Sequence, residues 1–206
     1  MRKRVLILSS LAAIALTGAA APAARGTTLR LVTGPAVASG ASVAAGLKAG
    51  TAFVLRDPVL GSVACASSQF TGNVGTNPAP AVRLSLSPAS PAGCTDTVPF
   101  AAVVSVTMTF GPSPNATATF DRLLGSTVTV DGLQITIVLS TGASCTYRPA
   151  LGNATATHDS FTSPWNDEYA FSVVMSGGGP APCPANPMWS ATYRVSSGGA
   201  GVTIQS

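Results

Sequence analysis

"STVTVDGLQITIVLS", from Ser126 to Ser140, sets two alternating β-branched runs on either side of Asp131-Gly132. Apolar residues returning at every second position are the mark of a strand with one buried face. Asp-Gly tolerates the positive φ that both central residues of a type I′ turn require, so the stretch reads as a β-hairpin. The same alternation returns in "TLRLVT" (Thr28–Thr33), "AVRLSLS" (Ala81–Ser87), "VSVTMTF" (Val104–Phe110) and "ATATF" (Ala116–Phe120). "GPSPN" (Gly111–Asn115) reads as another hairpin loop, and "SGGAG" (Ser197–Gly201) as the turn between "WSATYRV" and "VTIQ". Ala36–Gly50 is alanine-rich, but its glycines oppose a helix. The expectation is all-β: a single antiparallel β-sandwich of about ten to twelve short strands, with turn signals every 8–12 residues or so.

The N-terminus has a different character. Arg2, Lys3 and Arg4 precede an uncharged apolar run from Val5 to Ala21, and "APA" (Ala21–Ala23) follows. This is the pattern of a secretory signal peptide over residues 1–23, cleaved after Ala23, with Ala20 as the alternative. The run is short for a spanning helix, which needs roughly 20 residues. The expectation is a secreted domain over residues 24–206 with no transmembrane anchor after signal removal. Three of the 11 basic residues lie in the leader and none of the 7 acidic ones, leaving 8 against 7. The pI of 9.2 is therefore no footprint of nucleic-acid binding, and the remaining arginines form no stripe. Charged residues are only 9% of the chain, so its solubility rests on Ser, Thr, Asn and Gly.

Export makes pairing the default for the four cysteines Cys65, Cys94, Cys145 and Cys183. Zinc wants closely spaced cysteines and usually histidines, whereas no two cysteines here are close and His158 is the only histidine. Four cysteines allow three connectivities. "CASSQFTGN" (Cys65–Asn73) and "CTYRPALGN" (Cys145–Asn153) share a Cys…Gly-Asn spacing. Two equivalent hairpin-like units would each carry a staple, which favours Cys65–Cys94 and Cys145–Cys183. The Gly-Asn pair would then be the turn after each cysteine-bearing strand.

"GTAFVLRDPVLGSVACASSQFTGNV" (Gly50–Val74), "CTY" (Cys145–Tyr147) and "CPANPMWSATYRV" (Cys183–Val195) resemble secreted four-cysteine β-proteins of actinobacteria with no assigned function. More distantly, the stretch around Cys65 is similar to the secreted alkane-oxidation activators of pseudomonads. The resemblance is carried by cysteines, glycines and turn residues, so it implies a scaffold and an extracellular role without site residues.

The sequence holds no nucleophile elbow, phosphate-binding loop, zinc-protease motif or EF-hand loop. No cofactor and no metal site is expected. The densest polar stretch is "THDSFTSPWNDEY" (Thr157–Tyr169), with His158, Asp159, Asp167 and Glu168. It reads as a solvated loop, and Asp167 and Glu168, adjacent on a strand, would point to opposite faces. An extracellular hydrolase using His158 with nearby carboxylates is the alternative function. Asn115-Ala116-Thr117 and Asn153-Ala154-Thr155 match the glycosylation sequon and read as exposed turns. Trp165, Tyr169 and Trp189 would form a ligand surface if they stood together on an exposed sheet face. "VTIQS" (Val202–Ser206) has no charged side chain and reads as an open edge strand. The sequence thus points to a non-enzymatic binding or structural module of the cell surface or its matrix. Its partner would be itself, a cell-surface polymer or an apolar surface.

Overall fold

The computed structural model describes residues 26–58, 61–98, 101–121, 125–158, 167–179 and 183–206. The leader and most of the loop around Trp165 lie outside these. Among the described residues there is no helix. The strands are β1 (Thr28–Leu31), β2 (Ser42–Leu47), β3 (Phe53–Asp57), β4 (Gly61–Ser67), β5 (Gln69–Val74), β6 (Val82–Leu86), β7 (Ala92–Asp96) and β8 (Val103–Thr109). They continue as β9 (Ala116–Asp121), β10 (Gly125–Asp131), β11 (Gln134–Leu139), β12 (Ser144–Pro149), β13 (Asn153–His158), β14 (Glu168–Gly178), β15 (Met188–Ser197) and β16 (Ala200–Gln205).

The antiparallel pairings β15–β2–β5–β6–β9–β10–β13–β14–β15 close a ring of eight strands. A second circuit, β15–β3–β4–β7 and β8–β11–β12–β14, stacks on the first. The two tiers share β14 and β15, which run unbroken through both. All other barrel strands come end to end in pairs: β2 with β3, β4 with β5, β6 with β7, β8 with β9, β10 with β11, β12 with β13. The fold is thus an up-and-down barrel of eight long strands, six of them broken at a common waist. The second circuit has a seam between β7 and β8. It is held by the backbone pair Ala89–Met108 and by Asp96 Oδ2 accepting from Val103 N at 2.9 Å.

This corrects the expected sandwich, and the reason lies in the breaks. Asp131-Gly132 is not a hairpin turn. β10 has both edges occupied by β9 and β13, and β11 has both occupied by β8 and β12. Gly111–Asn115 is likewise a break within a long strand. The two breaks lie side by side, Gly111 N donating to Asp131 O at 3.1 Å and Asp131 N to Asn115 O at 2.8 Å. A Cβ on Gly132 would sit 2.6 Å from Gly111 Cα, so the crossing requires glycine there. The break also re-phases the strand, with Val128 and Val130 on the inner face before it and Ile135 and Ile137 after it. Asn115 is buried, its Oδ1 accepting from Leu86 N and its Nδ2 donating to Leu86 O and Gly111 O. It is therefore no exposed sequon, whereas Asn153 is exposed.

Only the third expected turn is a hairpin: Ser197 pairs with Ala200 around Gly198 and Gly199, both at positive φ. The following strand is not an open edge. β16 pairs with β1, and Val202, Thr203 and Ile204 are all buried. Ser126 Oγ donates to Ile204 O at 3.0 Å, which ties this ribbon to β10.

The core fills the barrel. Phe53, Leu55, Val82, Met108, Ile135, Tyr147, Trp189 and Tyr193 are all buried. An eight-stranded barrel is just wide enough for side chains to fill it. Its interior is apolar, whereas the lumen of a membrane-spanning barrel is polar.

Candidate functional site: ranked threonines on the outer face

Two of the three residues expected to form a ligand surface are not on the surface. Tyr169 and Trp189 are each 2% exposed, and Trp165 lies outside the described residues. Positions 169 and 171 on β14 and 189, 191 and 193 on β15 all face inward, as period two demands. Trp189 stacks on Phe171 at 5.1 Å between ring centroids and tilts against Phe53 at 6.0 Å. Tyr193 packs on Phe70 at 4.9 Å. The aromatic set is the barrel's filling.

The expected staples are present. Cys65 pairs with Cys94 across β4 and β7, and Cys145 with Cys183, which ties β12 to the segment before β15. The matched spacing is not one device used twice, however. Gly72-Asn73 lies inside β5, where a side chain at Gly72 would strike Ser85 O at 2.8 Å. Gly152 is at positive φ in the break between β12 and β13.

His158 ends β13, opposite Ser126. Ser126 is buried and its hydroxyl donates to Ile204 O, which occupies it away from nucleophilic work. Asp159 falls outside the described residues. Asp167 lies just before β14, so it does not obey strand alternation with Glu168. Both carboxylates meet Arg194, whose Nε is 3.1 Å from Asp167 Oδ1 and 4.0 Å from Glu168 Oε1. Lys48 Nζ donates to Glu168 Oε2 at 2.7 Å. These charges clamp β14, β15 and the β2–β3 break together. Among the described residues no group of three His, Cys, Asp or Glu is placed to hold a metal ion.

The barrel interior offers little room. An apolar cavity of about 50 Å³ in the first tier is lined by Phe70, Leu84, Val130, Phe171 and Tyr193 among others. A cavity that accepts benzene is roughly 150 Å³. All three tyrosines of the chain are buried. Burial pushes the Tyr193 phenol up to about 12, although the hydroxyl contact with Ser68 at 3.0 Å pulls the other way. Burial also raises Tyr147 and Tyr169, with Asp57 and Asp167 adding to the respective shifts. A raised folded pKa means that the neutral phenol stabilises the fold below the unfolded value of 10.0, and that this is lost as pH rises through about 12. We expect phenolate absorbance to stay flat through pH 10 and then to jump together with unfolding. A smooth titration centred near 10 would show that a tyrosine is exposed.

What the barrel does present is on its outside. On β9, β10 and β13, Thr119, Thr127 and Thr157 stand in register, and so do Thr117, Thr129 and Thr155. Beyond the waist, on β8, β11 and β12, Thr107, Thr136 and Thr146 form a third rank. β8–β9, β10–β11 and β12–β13 are three adjacent long strands, so nine threonines make three ranks of three. The inward residues between them are small or apolar: Ala118, Val128 and Ala156, then Ala116, Val130 and Ala154. This alternation forces the threonines out. Thr107, Thr155 and Thr157 are exposed and the other six are half-buried. Charges border the ranks: exposed Arg83 on β6 stands in register with Thr117, and exposed Asp121 and Asp131 take the next outward positions after Thr119 and Thr129. Thr136 Oγ1 and Thr146 Oγ1 are 3.4 Å apart.

Comparison with known proteins finds no family model, no curated protein and no solved structure that matches this chain. The geometry of the chain itself is the basis for a functional reading. No helix among the described residues is long and apolar enough to cross a membrane.

Proposed function

We propose that this protein is secreted and works outside the cell as a non-catalytic binding module, attaching to an uncharged hydroxyl-bearing surface through its threonine face. One observation carries the reading: nine threonines in register on three neighbouring strands, without a charge among them. Export is supported by the leader-like N-terminus and by two disulfides, which persist in oxidising compartments. The threonine hydroxyls and methyls are themselves uncharged, so contacts made through them are not screened by salt.

The test is adsorption of the disulfide-intact protein to a panel of hydroxyl-bearing solids: crystalline cellulose, chitin, insoluble cell-wall polysaccharide and ice. Binding is expected to at least one of them, nearly unchanged from low to high salt, and lost when Thr129→Lys puts a charge at the centre. A protein that stays in solution with every solid overturns the reading. So does adsorption that Thr129→Lys leaves intact.

A further inference from the structure

The threonine ranks have a spacing as well as a chemistry. Neighbouring strands lie about 4.8 Å apart, and alternate residues along one strand are about 6.7 Å apart. The first two ranks, centred on Thr127 and Thr129, therefore form a near-rectangular mesh of hydroxyls and methyls with these two repeats. Both repeats lie close to the spacings of water oxygens on the prism face of hexagonal ice. Three further properties favour a crystalline water lattice over a sugar polymer. Threonine is β-branched and stiff at χ1, so each hydroxyl and methyl is held in place before any ligand arrives. Each rank is set within ladders hydrogen-bonded to neighbours, so the mesh does not slide in register. A sugar ring is gripped largely by aromatic stacking, and the ranks carry no aromatic residue: the tyrosines and Trp189 are inside.

We infer that the threonine face binds ice, the hydroxyls of the ranks taking lattice positions for water oxygens while the methyls fill the hollows between them. This rests on the reading of that face as the contact surface and names its ligand. No covalent chemistry is involved. The third rank, centred on Thr136 beyond the waist, extends the contact along the barrel.

The experiment freezes a dilute solution of the disulfide-intact protein slowly and measures the share carried into the ice, with crystal shape followed by microscopy. The native protein is expected to enter the ice and to facet growing crystals. Thr129→Tyr, an intrusion at the centre of the contact, is expected to cut incorporation at least about tenfold. Thr155→Tyr, on the exposed flank, serves should the first variant fold poorly, and is expected to reduce incorporation as well. Thr71→Tyr, exposed on β5 in a different part of the wall, is expected to behave as the native chain. Exclusion of the native protein from ice overturns the inference, and so does incorporation equal in Thr129→Tyr, Thr155→Tyr and the native chain. If cellulose or chitin takes up the protein in a Thr129-dependent way while ice rejects it, the ice inference falls and the surface-binding reading stands. If no solid binds, both fall.

Discussion

Replacing Trp189 with alanine is expected to cost about 3–5 kcal/mol, the range for deleting a large buried aromatic. Its ring is 2% exposed and wedged between Phe53 on β3 and Phe171 on β14, so it touches both tiers. β15, which carries it, pairs with β2 in one tier and β3 in the other. The indole Nε1 has no hydrogen-bond partner among the described residues, so the loss is one of packing and cavity formation alone. Trp189→Phe should therefore recover much of it. Domain stabilities are typically about 5–15 kcal/mol, so the alanine variant would sit near the threshold of folding. Urea unfolding followed by near-ultraviolet circular dichroism checks this. A midpoint close to the native one would mean that Trp189 is not the pin between the tiers.

The second large effect is at Cys145–Cys183, which closes a loop spanning 38 residues. The chain-entropy model gives such a loop roughly 3–4 kcal/mol. The staple also fixes the start of β15 against β12, two positions away in the sheet, with β14 between them. The double variant Cys145→Ala/Cys183→Ala is expected to melt well below the native protein and to be cut by protease under conditions that leave the native protein whole. Unchanged melting would show that packing of β14 between its neighbours suffices without the bridge.

The all-β class was legible because it depends on local pattern; the preferred disulfide pairing is present, although the matched spacing that favoured it is not a shared device. The barrel was not legible. Asp131-Gly132, Gly111–Asn115 and Gly152-Asn153 carry residues that serve equally well to reverse a strand or to break and re-phase it. Local chemistry could not choose between the two, and the choice is made by long-range pairing on both edges of β10 and β11. Counting each break as a turn halved the strands and suggested a sandwich. The aromatic residues failed for a related reason. Period two shows that Tyr169 and Phe171 share a face, but not whether that face is inside. The threonines were visible as "ATATF", "STVTV" and "NATAT", yet their ranking needs the order of strands in the sheet. Asp167 was misjudged because it lies one residue outside the strand whose alternation was applied to it.

The meander has a consequence for the newborn chain. Every long strand meets its predecessor in sequence as soon as both exist, except at one place: β15 must return to β2 and β3. Until residues 188–197 are made, the chain is a growing open ribbon with β2–β3 bare along one edge and its newest strand bare along the other. Such edges recruit strands from other chains. Productive maturation thus depends on keeping nascent copies apart until the last tenth or so of the polypeptide has arrived. Chains that stop before β15 are expected to be sticky rather than merely shorter, and to accumulate as aggregates or be cleared by proteolysis.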